Sequence, residues 1–148
     1  MLLRALIAFL LLPGVFAVAV PLGLAHYFPP AHALRAMGYG PLIVGTLLLL
    51  WCTREFYVAG RGTLAPWSPP RQLVATGPYR FSRNPMYVAV IVMLLGWAEL
   101  YGIAPLWYYL VGVAIAFHLR VVFGEEPWLA RTHGPAWEAY KARTKRWL

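Results

Sequence analysis

Charged residues are scarce in this sequence: only 12% of its 148 residues are Asp, Glu, Lys or Arg, against about 25% in an ordinary soluble domain. Hydrophobic residues make up 61%, where about 45–50% is usual. This balance excludes a soluble globular domain. It also excludes a disordered chain, because such chains are poor in apolar and aromatic residues. At this length we expect a single domain.

Several catalytic and metal-binding classes are excluded by residue types that are missing. The sequence contains no aspartate, so a Ser-His-Asp triad cannot be assembled. Cys52 is the only cysteine, which rules out an internal disulfide. His26, His32 and His133 are too scattered to predict a metal site. The sequence shows no alternation of strand and helix patterns, which argues against a Rossmann fold.

Long apolar runs are the main feature of what is present. A helix needs about 20 apolar residues to cross the hydrocarbon layer of a membrane, and four runs approach that length. They cover approximately residues 2–25, 38–57, 85–100 and 105–123. The first run exceeds the apolar part of a signal peptide, so we interpret it as a retained helix. The sequence therefore predicts an all-α, polytopic membrane protein with about four transmembrane helices.

Two polar segments connect and follow these helices. The loop 58–84 is rich in Gly, Pro and Arg, and its interleaved aromatic residues indicate an ordered loop. In the tail 124–148, Pro135 suits the first turn of a short helix at the membrane interface. Because positive charges collect on the cytoplasmic side, we expect this loop and both termini to be cytoplasmic. The net charge of +8 then indicates membrane topology and anionic lipid, with no nucleic acid as partner.

The first polar cluster lies where the loop 58–84 meets the third helix. Pro85 can occupy the first turn of that helix, which leaves free backbone N–H groups beside Arg83 and Asn84. Together with the positive end of the helix dipole, these groups favour a carboxylate or another anion. The alternative is that Arg80 and Arg83 only extend to lipid phosphates.

The second polar cluster is the adjacent pair Glu125 and Glu126, in a sequence with only five acidic residues. Carboxylates at a helix C-terminus oppose the helix dipole, so the position of the pair requires an explanation. One possibility is that Gly124 breaks the chain and the two glutamates cap a new helix that starts at Pro127. The other is that they hold a cationic or hydroxyl-bearing ligand.

The order of these motifs resembles a known family. In chain order they are residues 77–80 (GPYR), 83–87 (RNPMY), 125–129 (EEPWL), 133–140 (HGPAWEAY) and 146–147 (RW). Together they look like the isoprenylcysteine carboxyl methyltransferase family, which is related to the phospholipid N-methyltransferases. The resemblance covers approximately residues 60–148, and it is much weaker for the first helix.

The resemblance implies an integral membrane enzyme of bacterial type, in the inner membrane, that uses S-adenosylmethionine. Its acceptor would be a lipophilic molecule entering from the bilayer, most simply a prenylcysteine-like carboxylate. A phospholipid amine, a small thiol or a non-catalytic adaptor role remain as alternatives. The family pattern has a histidine where this sequence has Asn84, and Asn cannot titrate. A histidine proton shuttle is therefore excluded at that position.

The candidate cofactor-binding residues follow from the same motifs. Glu125 and Glu126 are expected to contact the ribose hydroxyls or the ammonium group of S-adenosylmethionine. Its amino-acid part is expected to contact Asn84, Tyr87 and the adjoining backbone at Pro85. Tyr79 and Tyr140 are expected to form walls of the pocket.

The acceptor chemistry decides which other residues are needed. A carboxylate acceptor needs a cation to hold it and no general base, and the candidates are Arg83, Arg143 and Arg146, if the tail folds back over the loop. An amine acceptor would instead need its proton removed, with Glu125 or Glu126 as the base. The sequence decides neither the acceptor nor the oligomeric state.

Overall fold

The computed structural model describes residues 10–30, 32–58 and 73–148, and the structural statements below concern these residues. The beginning of the predicted first helix and residues 59–72 of the predicted loop 58–84 lie outside them. Within the described residues the structure is all-helical and contains no strand, as the apolar runs predict.

Six helices are present in the described part of the chain. Helix α1 comprises Leu10–Ala19, wound as a π-helix, and its α-helical continuation Val20–Tyr27. A 3₁₀ turn, Ala36–Gly38, leads into α2, Tyr39–Val58, and a second 3₁₀ turn, Gly77–Arg80, precedes α3, Pro85–Tyr101. Helix α4 is Ala104–Arg120, the π-helical turn Val121–Glu125 joins it to α5, Glu126–His133, and α6 is Pro135–Arg143.

Two of these helical stretches are long and apolar enough to cross a membrane, namely Ala36–Glu55 and Ala104–His133. The apolar parts of α1 and α3, Gly14–Tyr27 and Pro85–Tyr101, are shorter. At about 1.5 Å per residue, α3 is about 26 Å long, slightly less than the hydrocarbon thickness of about 30 Å. The four predicted spans therefore remain a prediction, and two helices meet the length requirement.

Helix α3 packs closely against α2 because glycines remove side chains from their interface. A Cβ atom on Gly96 would lie 2.7 Å from the backbone nitrogen of Leu42. A Cβ atom on Gly45 would lie 2.8 Å from the carbonyl oxygen of Ala89. Small residues permit such close approach between helices in membranes, where packing replaces the hydrophobic effect.

Helices α3 and α4 form the tight hairpin that the sequence predicts. Gly102 ends α3 in the left-handed conformation, with φ of +63°, and its N–H donates to the carbonyl of Ala98. Only Gly102 and Ile103 separate the two helices. This short connection places the start of α3 and the end of α4 side by side at the opposite end of the hairpin.

Helix α1 is held against the hairpin by two side-chain donors. Nε1 of Trp97 donates a hydrogen bond of 2.7 Å to the carbonyl of Ala17, and the hydroxyl of Tyr109 donates to the carbonyl of Phe16 at 3.0 Å. Both carbonyls belong to the π-helical part of α1. Each bond ties a backbone carbonyl of α1 to a side chain of the hairpin.

The C-terminal region differs from the single interfacial helix that the sequence predicts. It contains two helices, α5 and α6, and α5 continues directly from α4. Gly124 does not end the helix, because it lies within the π-helical turn Val121–Glu125, which continues from α4 into α5. Glu125 has helical φ and ψ values and forms no side-chain capping bond. The pair does lie at the start of a helix with Pro127 in its first turn, as the capping explanation expects, but no side-chain capping bond forms there.

Candidate functional site

The turn Gly77–Arg80 is anchored to the end of α2. The hydroxyl of Thr76 donates a hydrogen bond of 2.7 Å to Oε2 of Glu55, which is a buried carboxylate. Gly77 has φ of +56°, and a Cβ atom there would lie 2.7 Å from Cγ of Glu55. Glycine therefore lets the turn approach α2 this closely. Glu55 is not among the predicted site residues, since its partner Thr76 is distant along the chain.

Two buried tyrosines join this turn to α6. The hydroxyl of Tyr140 donates a hydrogen bond of 2.7 Å to the backbone carbonyl of Tyr79. Burial raises the pKa of Tyr140 to about 12, and the charges of Arg83 and Arg143 partly oppose that rise. Burial also raises the pKa of Tyr79 well above its usual value. Both hydroxyls are therefore protonated at neutral pH, and the two predicted pocket walls lie next to each other.

The first charged group of the site comprises Tyr87 of α3, Arg120 of α4 and Glu125 of the π-helical turn. The hydroxyl of Tyr87 donates a hydrogen bond to Oε1 of Glu125. Nε of Arg120 lies 2.8 Å from the same oxygen and 3.1 Å from the Tyr87 hydroxyl. Arg120 was not among the predicted site residues. Arg120 and Glu125 are five residues apart, and residues at this spacing lie close together in a π-helix, which has i to i+5 hydrogen bonds. No local sequence pattern predicts such a turn.

The second charged group comprises Arg83, Glu126 and Arg146. Nε and Nη2 of Arg146 donate hydrogen bonds of 2.8 and 2.9 Å to the two carboxylate oxygens of Glu126. Nη1 of Arg83 lies 3.3 Å from Oε1 of the same carboxylate. This bidentate pairing raises the pKa of Arg146. A buried Trp137 lies under the guanidinium of Arg83, with 5.4 Å between Cζ and the ring centroid.

Arg83 is unusual among the arginines of the site because its side chain is only 9% exposed. Its Nη1 reaches Glu126 only as the 3.3 Å ion pair, and neither Nη1 nor Nε donates a well-formed hydrogen bond to any residue in the described part of the chain. Buried donors of this kind are costly unless a partner satisfies them. The side chain therefore has the capacity to bind an anion beside the start of α3.

The last residues of the chain fold back over the loop, which brings Arg146 into the site. We call residues 144–148 the C-terminal segment. The N–H of Arg83 donates to the carbonyl of Lys145 at 2.8 Å. Nδ2 of Asn84 donates to the carbonyl of Arg146 at 2.9 Å, and the hydroxyl of Ser82 contacts the same carbonyl at 3.3 Å. Asn84 thus holds the C-terminal segment in this structure.

Most of the predicted site residues are brought together at this end of the hairpin. The cofactor candidates Tyr79, Asn84, Pro85, Tyr87, Glu125, Glu126 and Tyr140 all lie in or beside the contacts described above. Arg83 and Arg146 meet at Glu126. Arg143 is exposed and forms no ion pair with a glutamate among the described residues. Within the described residues, the charge of Arg143 lowers the pKa of Tyr140 and so partly opposes the effect of burial.

One comparison with known proteins gives a match. A family model described as phospholipid methyltransferase matches residues 34–136. The range covers all of α2, the hairpin and both glutamates, and it ends before Tyr140, Arg143 and Arg146. No curated protein and no solved structure matches the chain. The family match confirms the relationship that the sequence motifs indicate.

Proposed function

Because the chain belongs to the phospholipid methyltransferase family, we propose that it transfers a methyl group from S-adenosylmethionine to a lipophilic acceptor at a membrane surface. The acceptor group that we favour is a carboxylate, such as the carboxyl group of a prenylcysteine-like compound. One observation carries this choice. The guanidinium of Arg83 is buried beside the start of α3, where Nη1 meets Glu126 only as an ion pair at 3.3 Å and Nε donates no hydrogen bond within the described residues.

The residues of the site fit S-adenosylmethionine. Its ribose hydroxyls and ammonium group are donors, and Oε2 of Glu125 accepts no hydrogen bond in the part of the chain that the structure describes. Its carboxylate suits the free N–H groups in the first turn of α3, which begins at Pro85. Tyr79 and Tyr140 supply buried walls. When bound, the cofactor supplies a methyl group activated by a positively charged sulfur.

A carboxylate acceptor has to be held and shielded from water, and it needs no deprotonation. The transfer forms one oxygen–carbon bond and breaks one sulfur–carbon bond, and no proton moves, so no general base is required. Arg83 would hold the acceptor carboxylate in place for the transfer. The burial of its guanidinium against Trp137 excludes water from this position. Arg146 and, at greater distance, Arg143 add positive charge.

An apolar cleft supports a lipophilic acceptor. The cleft has a volume of about 130 Å³ and lies between α2, the turn Gly77–Arg80 and α3. Trp51, Phe81 and Val88 are among the residues that line it, and so is Ser82, which is next to Arg83 in the chain. An apolar chain in this cleft would bring its polar head group towards Arg83.

The charge of this end of the molecule supports its placement at the cytoplasmic face of a bacterial inner membrane. Arg80 and Lys145 are exposed there, and positively charged residues collect on the cytoplasmic side of membrane proteins. Each such residue near the surface is worth about 1 kcal/mol with anionic lipid. Anionic lipid is therefore a proposed partner of this end.

A phospholipid amine is the second candidate acceptor. The description of the matching family model favours it, and so does the partly exposed carboxylate of Glu125, which could remove a proton from an amine. This reaction would require a base, whereas methylation of a carboxylate does not. The two acceptors therefore differ in their need for Glu125 as a proton acceptor.

The experiment is a methylation assay with radiolabelled S-adenosylmethionine and purified protein in bilayers. A farnesylcysteine derivative and phosphatidylethanolamine are offered separately. A methyl ester releases methanol in mild alkali, whereas a methylated amine keeps its label. We expect alkali-labile label on the carboxylate acceptor, and loss of that activity in Arg83→Ala.

The matched control is Arg131→Ala, since Arg131 is an exposed arginine of α5 outside the site. We expect this variant to keep the wild-type rate. Alkali-stable label on the phospholipid would replace the carboxylate by the amine acceptor. Absence of label on both acceptors, with a folded protein, would contradict the proposed function for these substrates.

A further inference from the structure

We infer that the two adjacent glutamates have separate roles, an inference that rests on the proposed function. Glu125 is the carboxylate that contacts the methyl donor. Glu126 is a positioning residue that acts through Arg83 and Arg146. The motif places the two carboxylates side by side in the sequence, whereas their partners in the structure are different.

The two glutamates have different partners because of the geometry of the helix. Neighbouring residues on a helix point in different directions, so two consecutive side chains do not share a face. Glu125 pairs with Tyr87 of α3 and Arg120 of α4, both within the hairpin. Glu126 pairs with Arg83 of the loop and Arg146 of the C-terminal segment. The π-helical turn Val121–Glu125 ends between the two glutamates.

The carboxylate of Glu126 is occupied by two arginines of the chain itself. Each of its two oxygens accepts a hydrogen bond from Arg146, and Nη1 of Arg83 lies 3.3 Å from one of them. Its side chain is 13% exposed. A ligand that took over either oxygen would compete with a bidentate guanidinium, which is among the strongest pairings available to a carboxylate. The negative charge of Glu126 instead holds together two arginines that would otherwise repel each other.

The carboxylate of Glu125 has capacity left. Both of its hydrogen bonds end on Oε1, and Oε2 accepts none from the described residues. Its side chain is 34% exposed, and that of its partner Arg120 is 61% exposed. Nε of Arg120 also lies 3.1 Å from the Tyr87 hydroxyl, so one N–H serves two acceptors. A hydroxyl or ammonium donor can therefore reach Oε2 while Tyr87 and Arg120 keep the carboxylate oriented.

Glu126 is connected to the site through the C-terminal segment. Arg146 carries the bidentate pair, and its carbonyl accepts the hydrogen bond from Asn84. The neighbouring carbonyl, that of Lys145, accepts from the N–H of Arg83. Removing the charge of Glu126 should therefore release the segment and leave Arg83 without its counter-charge.

The test compares Glu125→Gln with Glu126→Gln in the full-length protein, since glutamine keeps the size and removes the charge. Affinity for S-adenosylmethionine is measured by calorimetry, and release of the segment is measured by hydrogen exchange of the Arg83 amide without ligand. We expect Glu125→Gln to weaken binding by about tenfold or more, the loss of one bond to a charged group, with exchange unchanged. We expect Glu126→Gln to accelerate exchange and to weaken binding.

Arg146 provides a second route to the role of Glu126. If Glu126 acts through Arg146, Arg146→Gln reproduces the faster exchange, and the double variant binds no more weakly than either single variant. Arg146→Lys, which keeps the charge, restores part of the affinity. Additive losses in the double variant would contradict the positioning role, because independent damage to stability adds.

Glu138→Gln is the matched control, since Glu138 is 62% exposed on α6 and pairs only with Lys141 in the described residues. It should change neither quantity. The inference is overturned if Glu125→Gln binds as the wild type does, or if Glu126→Gln abolishes binding while the Arg83 amide stays protected. If the wild type binds no S-adenosylmethionine, the proposed function fails, and the exchange data alone still test the positioning role of Glu126.

Discussion

The α2–α3 interface and the charged end of the hairpin are built in opposite ways. At the interface, Gly45 and Gly96 bring two apolar helices so close that an added Cβ atom would overlap its neighbours. At the charged end, Arg83, Glu125 and Glu126 are held by hydrogen bonds and ion pairs to distant residues. Tight packing makes the interface rigid, but it offers no polar group that could release its partner and bind a ligand. Ion pairs provide such groups, and the candidate site lies among them.

The largest expected effect comes from filling the interface. Gly96→Ala places a Cβ atom 2.7 Å from the backbone nitrogen of Leu42, so the helices must separate. We expect a loss of about 1–3 kcal/mol in the free energy of unfolding, the usual cost of overpacking. Gly112→Ala in α4 is the control, because a Cβ atom there meets nothing within 4 Å. It should be stabilising by about 0.5–1 kcal/mol, since alanine favours a helix.

Unfolding midpoints of both alanine variants in the same detergent check this prediction. Equal midpoints would show that the helices do not approach as closely as the structure places them.

A smaller effect is expected from the charged end. Asn84→Ala removes the hydrogen bond to the Arg146 carbonyl, and one such bond contributes about 0.5–1.5 kcal/mol. We expect local release of the C-terminal segment, seen as faster hydrogen exchange of the Arg83 amide, with little change in the unfolding midpoint. A large drop in the midpoint would show that the charged end supports the fold as much as the apolar interface does.

Ionisation of Tyr140 does not affect stability at neutral pH and destabilises the fold only in alkaline solution. The pKa of Tyr140 is about 12 in the folded protein, against about 10 for an exposed tyrosine, so between these values only the unfolded chain loses this proton. The unfolded state then binds fewer protons, and stability must fall as pH rises through this range. Tyr140→Phe should show a shallower fall between pH 10 and 12, measured by unfolding at a series of pH values. An identical slope would contradict burial of this hydroxyl.

The helices could be predicted from the sequence, because their apolar runs are local patterns. The boundaries of α2 and α3 agree with the predicted runs within a residue, and Gly102 ends α3 where the hairpin was expected. Whether a helix can cross a membrane is judged from its length and apolar composition. Ala36–Glu55 and Ala104–His133 are long enough, whereas α3 is shorter.

Some residues of the site could be predicted from the sequence, but the contacts between them could not. The motifs drew attention to Arg83 and to the glutamate pair, which the structure brings together with Arg146. Arg120 was missed because its pairing with Glu125 depends on a π-helical turn that no local pattern marks. The hydrogen bond from Asn84 to Arg146 joins residues far apart in the chain, and no periodicity encodes such a contact.

Every role proposed for the site requires that this end of the hairpin binds S-adenosylmethionine. The most direct measurement is a calorimetric titration of S-adenosylmethionine and its demethylated product into the purified protein in lipid bilayers. We expect saturable binding at one site per chain, weakened in Glu125→Gln and unchanged in Glu138→Gln. A folded wild-type protein that binds neither compound, in bilayers and in detergent, would contradict the claim and leave a structural membrane protein as the better description.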